Sequence, residues 1–368
     1  MNLTLFEERI GKVQANLKKQ GIGIQFICSL DNLAYLSGVR PLALERLTLL
    51  SLPQEGKPHL ILPKLSEQEF LHLSSLFDLL AWEDGQDPVA LVQDELKRLS
   101  PGLPLAADRG TPGYLILALA KSLPLDLILL NEDSIKGLRQ IKSREEVELL
   151  KASGAIVDEV LKEVRKFAKP GMSELEVASF MITEIMKRGA VADPSIPIVA
   201  SGPHSAVPHH QTGSRQLQVG EPLLIDFGCV FKGYYSDVTR TFFLGEPSEE
   251  FQRVYQIVKE AQAKALSLIR PGIPLGSLDE AAREHIKNSG YGEYFIHRLG
   301  HGLGMEIHEE PYIYSGNSTP AEAGMCFSVE PGIYLPGRFG VRIEDCVVVE
   351  KEGPLLLTHF PKELILIG

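Results

Sequence analysis

The stretch LLIDFGCVFKGYYSDVTRTFFL, Leu223 to Leu244, decides the fold. Strand-forming residues flank Lys232-Gly233, which predicts two strands, Pro222 to Val230 and Tyr234 to Leu244, joined by a tight turn. That turn pairs Gly228 with Asp237. Asp226, two residues before Gly228, then points to the same face as Asp237. The two carboxylates become diagonal cross-strand neighbours, about 7–8 Å apart at the backbone. Two like charges on an apolar face are costly unless something compensates them. A bridging cation turns the repulsion into coordination. The plainer alternative is two unrelated strand acids, one of them paired with Arg240.

Working outward, Glu330 and Glu344 repeat the arrangement. VEPGIYL and GVRIEDCVVV predict strands around a Pro336-Gly337 turn, and 330 + 344 is twice 337. His301 lies in GHGLG, Gly300 to Gly304, where the glycines argue against a helix and for close backbone approach. No lysine follows and no strand-then-helix frame fits, so this is not a phosphate loop. HExxH is absent, so it is not a zinc-protease helix either. A lone histidine in such a loop is usually structural, but one followed by two acids on a hairpin is more often a ligand. The expectation is that Asp226, Asp237, His301, Glu330 and Glu344 hold two divalent metal ions. Four carboxylates and one imidazole are a hard, oxygen-rich set that suits Mn²⁺ first, with Co²⁺, Fe²⁺ or Zn²⁺ as alternatives. Five side chains leave two ions unsaturated and leave room for a bridging water.

The order Asp, Asp, His, Glu, Glu, with steps of 11, 64, 29 and 14, resembles the "pita-bread" metallopeptidases. GHGLGMEIHEEP and EPGIYLPGRFGVRIED resemble the branch of Xaa-Pro dipeptidase (prolidase) and Xaa-Pro aminopeptidase (aminopeptidase P). The resemblance is close over residues 140–360 and loose before them. It implies that Asp226 chelates one ion and His301 the other, with Asp237, Glu330 and Glu344 touching or bridging both. It also implies substrate-facing histidines at His209 and His308, hydrogen-bonding the substrate carbonyl, and a proline-containing peptide as substrate. His210, next to His209, is an alternative for the first. Glu330 is the candidate proton shuttle. Strand alternation places Thr239 beside Asp237 and Arg342 beside Glu344 as supporting partners. One departure concerns Tyr312. The similar dipeptidases carry an arginine after the proline, which receives the free carboxylate, whereas here Pro311 precedes Tyr312. Arg342 is the substitute receptor, and aminopeptidase P-like cleavage of longer peptides stays open.

At 368 residues the chain calls for two domains, expected at 1–132 and 133–368. The first alternates helix and strand, an α/β module. A helix with Phe6, Ile10, Val13 and Leu17 on one face stops at Gly21. Strands follow at Gly23 to Cys28, Leu47 to Leu52, His59 to Leu62 and Leu125 to Leu130. Helices are expected at Asp87 to Leu99 and Thr111 to Ser122. His59 and His72 read as surface residues without partners. The second domain begins at Ser143 to Glu146, a capping box. A long amphipathic helix ends at Lys169-Pro170-Gly171, and Ser173 to Glu176 opens the next. The pattern recurs to Arg270-Pro271-Gly272, with a further capping box expected at Ser277 to Glu280. Each half is two helices and an acid-bearing hairpin, giving a pseudo-two-fold α+β pita-bread domain with a curved antiparallel sheet.

The remaining features bound the function. A net charge of −11 argues against nucleic acid or an anionic membrane as partner. No apolar run reaches membrane-spanning length. The four cysteines form no CxxC pair, which together with the lack of an export signal fits a cytoplasmic protein. The resemblance implies a homodimer. The competing classes are a methionine aminopeptidase-like peptidase, a creatinase-like hydrolase without metal, and a non-catalytic binding protein on the same fold.

Overall fold

The computed structural model describes residues 3–42, 44–100, 102–192 and 197–368. The chain divides into two compact units, residues 1–138 and 139–368.

In the first unit, α1 (Leu3–Gln20) buries Phe6, Ile10, Val13 and Leu17, the face its periodicity predicts. Then come β1 (Ile24–Ile27), α2 (Leu30–Ser37), β2 (Leu49–Pro53), β3 (His59–Pro63), α3 (Glu67–Phe70), β4 (Asp78–Trp82), α4 (Pro88–Glu95), β5 (Leu105–Ala107), α5 (Gly113–Leu119), β6 (Ile128–Leu130) and α6 (Asp133–Gln140). The strands form one mixed sheet in the order β4-β3-β2-β1-β5-β6. His59 is not a lone surface residue. Its Nδ1 lies 2.8 Å from Glu95 Oε1, and its Nε2 lies 3.6 Å from Asp78 Oδ2. The unpredicted strand β4 is the reason, because its parallel register sets Asp78 opposite His59. His72 also has a partner, although it is exposed.

The second unit opens with α7 (Arg144–Phe167) and α8 (Glu174–Lys187), each with a complete capping box, Ser143 with Glu146 and Ser173 with Glu176. Strands β7 (Ile198–Ser201), β8 (Glu221–Phe227), β9 (Val230–Phe231), β10 (Tyr234–Tyr235) and β11 (Val238–Leu244) follow. The second half has α9 (Glu249–Leu268), α10 (Leu275–Asn288), β12 (Gly300–Gly302), β13 (Glu309–Ile313), β14 (Cys326–Val329), β15 (Gly332–Leu335), β16 (Phe339–Arg342), β17 (Asp345–Glu350), β18 (Gly353–Leu356) and β19 (Leu366–Ile367). The helix pairs pack on two sheets, ordered β19-β11-β8-β7 and β13-β12-β14-β17-β18. Pairing is antiparallel except for β11 with β19. Two apolar cores result, one between α7, α8 and the first sheet, the other between α9, α10 and the second.

The third capping box does not form. Helix α10 starts two residues before Ser277, with Pro274 at its cap, so Ser277 lies inside the first turn and its hydroxyl donates to Pro274 O. Glu280 instead accepts from Ser315 Oγ and Gly316 N. Pro274 fixes an extended φ/ψ at φ −60°, ψ 128°, which sets the helix entry without a polar cap.

Both acid-bearing hairpins are interrupted at the acids. In the first, Val238 pairs with Phe227 and Tyr234 with Phe231, so the register is unbroken across the gap at Gly228-Cys229. A Cβ on Gly228 would meet Ser236 O at 1.9 Å, so only glycine permits this approach. In the second, Gly332 pairs with Arg342 and Cys326 with Val348, again one register on both sides of a gap. Pro331 has no N–H to give, and the ladder stops there. Strand β11 joins the halves. Glu344 N–H donates to Thr239 O at 3.1 Å, and Thr241 Oγ1 donates to Arg342 O at 2.9 Å.

Candidate metal centre

The two gaps and β12 bring the five expected ligands to one place. Asp226 is the penultimate residue of β8, Asp237 precedes β11, Glu330 follows β14, and Glu344 stands between β16 and β17. His301, at the centre of β12, puts its Nε2 3.6 Å from Asp237 Oδ2 and 3.4 Å from Glu330 Oε1. One ligand atom each of Asp237, His301 and Glu344 lies within 4.8 Å of the others. All five line a cavity of about 870 Å³, together with His209, His308 and Arg342. The glycines of GHGLG make room for β12. A Cβ on Gly300 would meet Ser328 O at 2.0 Å, and one on Gly302 would meet Glu310 O at 2.4 Å.

Electrostatics mark this cluster as needing positive charge. Burial, then the charges of Asp226 and Glu330, hold the Asp237 carboxyl well above its ordinary range. Burial, then Asp237 and Glu330, does the same to Glu344. Glu330 is pushed up to about 7, by burial first and by Asp226. Burial, followed by the nearby His308, depresses His301 to about 3, so the ring is neutral. A proton on Nδ1 donated to Gly302 O, 3.1 Å away, leaves the Nε2 lone pair facing the acids. Glu344 Oε2 accepts from Thr239 Oγ1 at 2.6 Å, while its Oε1 is buried with no hydrogen-bond partner among the described residues. That orphaned oxygen, the crowded carboxylates and the neutral imidazole fit a divalent metal pair.

Supporting residues hold the acids in place. Arg342 is buried and donates to Asp226 Oδ2 at 2.5 Å, Tyr334 Oη at 2.8 Å and Thr239 Oγ1 at 3.1 Å. Arg240 pairs with Asp345 at 2.7 Å, not with either acid of the first hairpin. Ser328 Oγ donates to Glu330 Oε1 at 3.0 Å and accepts from His301 N–H at 3.1 Å. The His308 ring lies tilted against that of His301, ring centroids 3.8 Å apart. His210 Nε2 is engaged by Glu174 Oε2 at 2.9 Å, which leaves the neighbouring His209 as the ring without a hydrogen-bond partner among the described residues. Tyr312 pairs with His301 across β12 and β13, and its ring lies under the Arg298 guanidinium, 4.1 Å from the centroid.

Three features carry no expectation from sequence. Glu174, fully buried at the start of α8, gathers Ser201 N–H, Ser201 Oγ, His204 and His210, and so clips the loop that presents His209. Its place in the first turn of a capped helix gives only a helix signal. His297 and Tyr334 are joined at 2.8 Å beside Arg342, and Arg298 lines the cavity. The sequence hint for His297 and Arg298 was proximity to GHGLG, and for Tyr334 its place in VEPGIYL.

Residues 148–351 match metallopeptidase family M24, and residues 9–141 match the creatinase/prolidase N-terminal domain. The chain belongs to family M24. Among family members, a probable dipeptidase PepE of Mycobacterium tuberculosis is 38% identical over 99% of this chain and 97% of that protein. The solved dipeptidase PepE of Mycobacterium ulcerans is 39% identical, with TM-score 0.92, covering 100% of this chain and 99% of the other. The prolidase of Thermococcus sibiricus is 41% identical, with TM-score 0.91, covering 98% and 99%. An M24 chain is a peptidase, a hydrolase that uses divalent metal ions. The M24 fold, an α/β N-terminal domain followed by a pita-bread domain, is the one expected from the motifs. No helix among the described residues is long and apolar enough to cross a membrane.

Proposed function

We propose that this M24 peptidase hydrolyses the imide bond of Xaa-Pro dipeptides, or the same bond at the N-terminus of short peptides. The observation that carries the reading is the convergence of Asp226, Asp237, His301, Glu330 and Glu344 on one cavity with an orphaned carboxylate oxygen. The names of the similar proteins, prolidase and dipeptidase, support the substrate class. Asp226, Asp237, His301, Glu330 and Glu344 would hold the two ions, Mn²⁺ by donor chemistry. Bound there, such ions would supply Lewis acidity toward the scissile carbonyl and a water.

The chain's own side chains do the rest. Glu330 takes the water's proton and returns it to the proline nitrogen as that bond breaks. Ser328 Oγ orients the carboxylate through Oε1. His209 and His308 hydrogen-bond the carbonyl oxygen and stabilise the charge that develops on it. Burial, then the charge of Arg298, lowers the His308 pKa, so a neutral ring donates one N–H. Arg342 holds Asp226 and Thr239 holds Glu344, which keeps both carboxylates aimed inward. Leu175, Ala178, Ile182, Ile198 and Ile307 give the cavity an apolar wall for the side chain and proline ring. A bond before proline lacks N–H, and an apolar wall accepts it without leaving a polar group unpaired.

Four free cysteines, three of them buried, suit a reducing cytoplasm, and a homodimer belongs to the same reading. Purified protein loaded with Mn²⁺ tests the substrate class. Cleavage of Xaa-Pro peptides but not of matched Xaa-Ala peptides is expected. Equal cleavage of both would overturn the imide preference.

A further inference from the structure

Residues 139–368 contain twelve arginines, and a pattern runs through them. Arg139, Arg188, Arg215, Arg240, Arg283, Arg338 and Arg342 each pair with a carboxylate. Arg144, Arg165, Arg253 and Arg270 are exposed. Arg298 alone is neither. It is half-buried, lines the cavity beside His297, His301 and His308, and its guanidinium makes no ion pair or hydrogen bond among the described residues. It rests on the face of Tyr312, 4.1 Å from the ring centroid. A guanidinium resting on an aromatic ring keeps its edge of N–H donors free for a planar anion.

The other cation in the cavity is already engaged. Arg342 donates to Asp226, Thr239, Tyr334 and Pro208 O. Moving it toward a substrate would release Asp226. The acids beside Arg298 are the expected metal ligands, so the anion it awaits is not one of them. We propose that Arg298, held by Tyr312, receives the α-carboxylate of a dipeptide substrate. The site then counts residues on the leaving side of the bond. A dipeptide ends in a carboxylate at that point, whereas a longer peptide presents a neutral amide that gains no charge-assisted pair. The position after Pro311 thus carries the platform, and the cation comes from the segment just before β12.

This inference rests on the peptidase reading, and the test separates the two. The Mn²⁺-loaded protein is assayed on Ala-Pro, on its C-terminal amide and on Ala-Pro-Ala. Cleavage of any of them reads the activity, and the acid-to-amide ratio of kcat/KM reads Arg298. The wild type is expected to prefer the free acid. Arg298→Ala is expected to cut that ratio on the order of 10- to 100-fold, mainly through KM. Arg298→Lys is expected to restore part of it, since a point charge replaces a fork. Thermal melting of each variant confirms folding. Cleavage without acid preference in the wild type, or an unchanged ratio in folded Arg298→Ala, overturns the role of Arg298 and leaves the peptidase standing. Failure to cleave all three peptides overturns both.

Discussion

In the proposed reaction two demands meet at Glu330, which would hold metal as an anion and also carry a proton. Its Oε1 accepts from Ser328 Oγ, and with no metal bound, burial pushes its pKa up to about 7. Glu330→Gln keeps the shape and removes the base. It is expected to lower kcat by about 10²–10⁴-fold, measured at matched metal content; undiminished turnover would contradict the assignment. The same group sets a pH dependence for the chelated protein. A glutamate that releases its proton near 4.5 when unfolded and near 7 when folded is protonated more fully in the native state between those values. Native stability is therefore highest below the lower value and falls as pH rises through the upper one. Asp237 and Glu344, shifted in the same direction, add to the fall. Urea unfolding of the chelated protein at about pH 5 and about pH 7.5 checks the sign. Stability that rises over that interval would contradict it.

At the scale of the element, the acid hairpins were legible because two devices agree, a tight turn and a period of two. Lys232 and Gly233 both take positive φ, 49° and 87°, which fits the two-residue turn read from the sequence. The one register running through both hairpins follows from those turns. The gaps were not legible, since they depend on Pro331 and on the approach of Ser236 to Gly228 in three dimensions. Helix α10 was misread for a related reason. Ser277 and Glu280 have capping-box spacing, but Pro274 starts the helix earlier. This gives a paired prediction. Ser173→Ala, at a true cap, is expected to cost about 1 kcal/mol, and Ser277→Ala to stay within about 0.5 kcal/mol. Thermal unfolding of the two variants decides it, and equal losses would contradict the helix start. The clip of Glu174 with His204 and His210 was invisible for another reason, because contacts 30 and 36 residues apart have no local periodicity.

In the second unit as a whole, the expected ligands come from both halves of a repeated helix-pair-and-hairpin plan. Asp226 and Asp237 belong to the first half, and His301, Glu330 and Glu344 to the second. Like charges from the two halves meet across β11, so ions bound there fasten the halves together and bind the native chain alone. The expected gain is about 4 kcal/mol at a metal concentration a thousandfold above the dissociation constant. The family was legible in the order and spacing of five residues. The Arg298–Tyr312 pair was not, because a contact between residues 14 apart in the chain leaves no motif. The central claim is that these five side chains hold a pair of divalent ions, and metal content reads it directly. Protein stripped by chelation, reloaded with Mn²⁺, desalted and measured by elemental analysis is expected to retain two ions per chain, and Glu344→Ala fewer than two. One ion or none in the wild type, or two retained in folded Glu344→Ala, would contradict it.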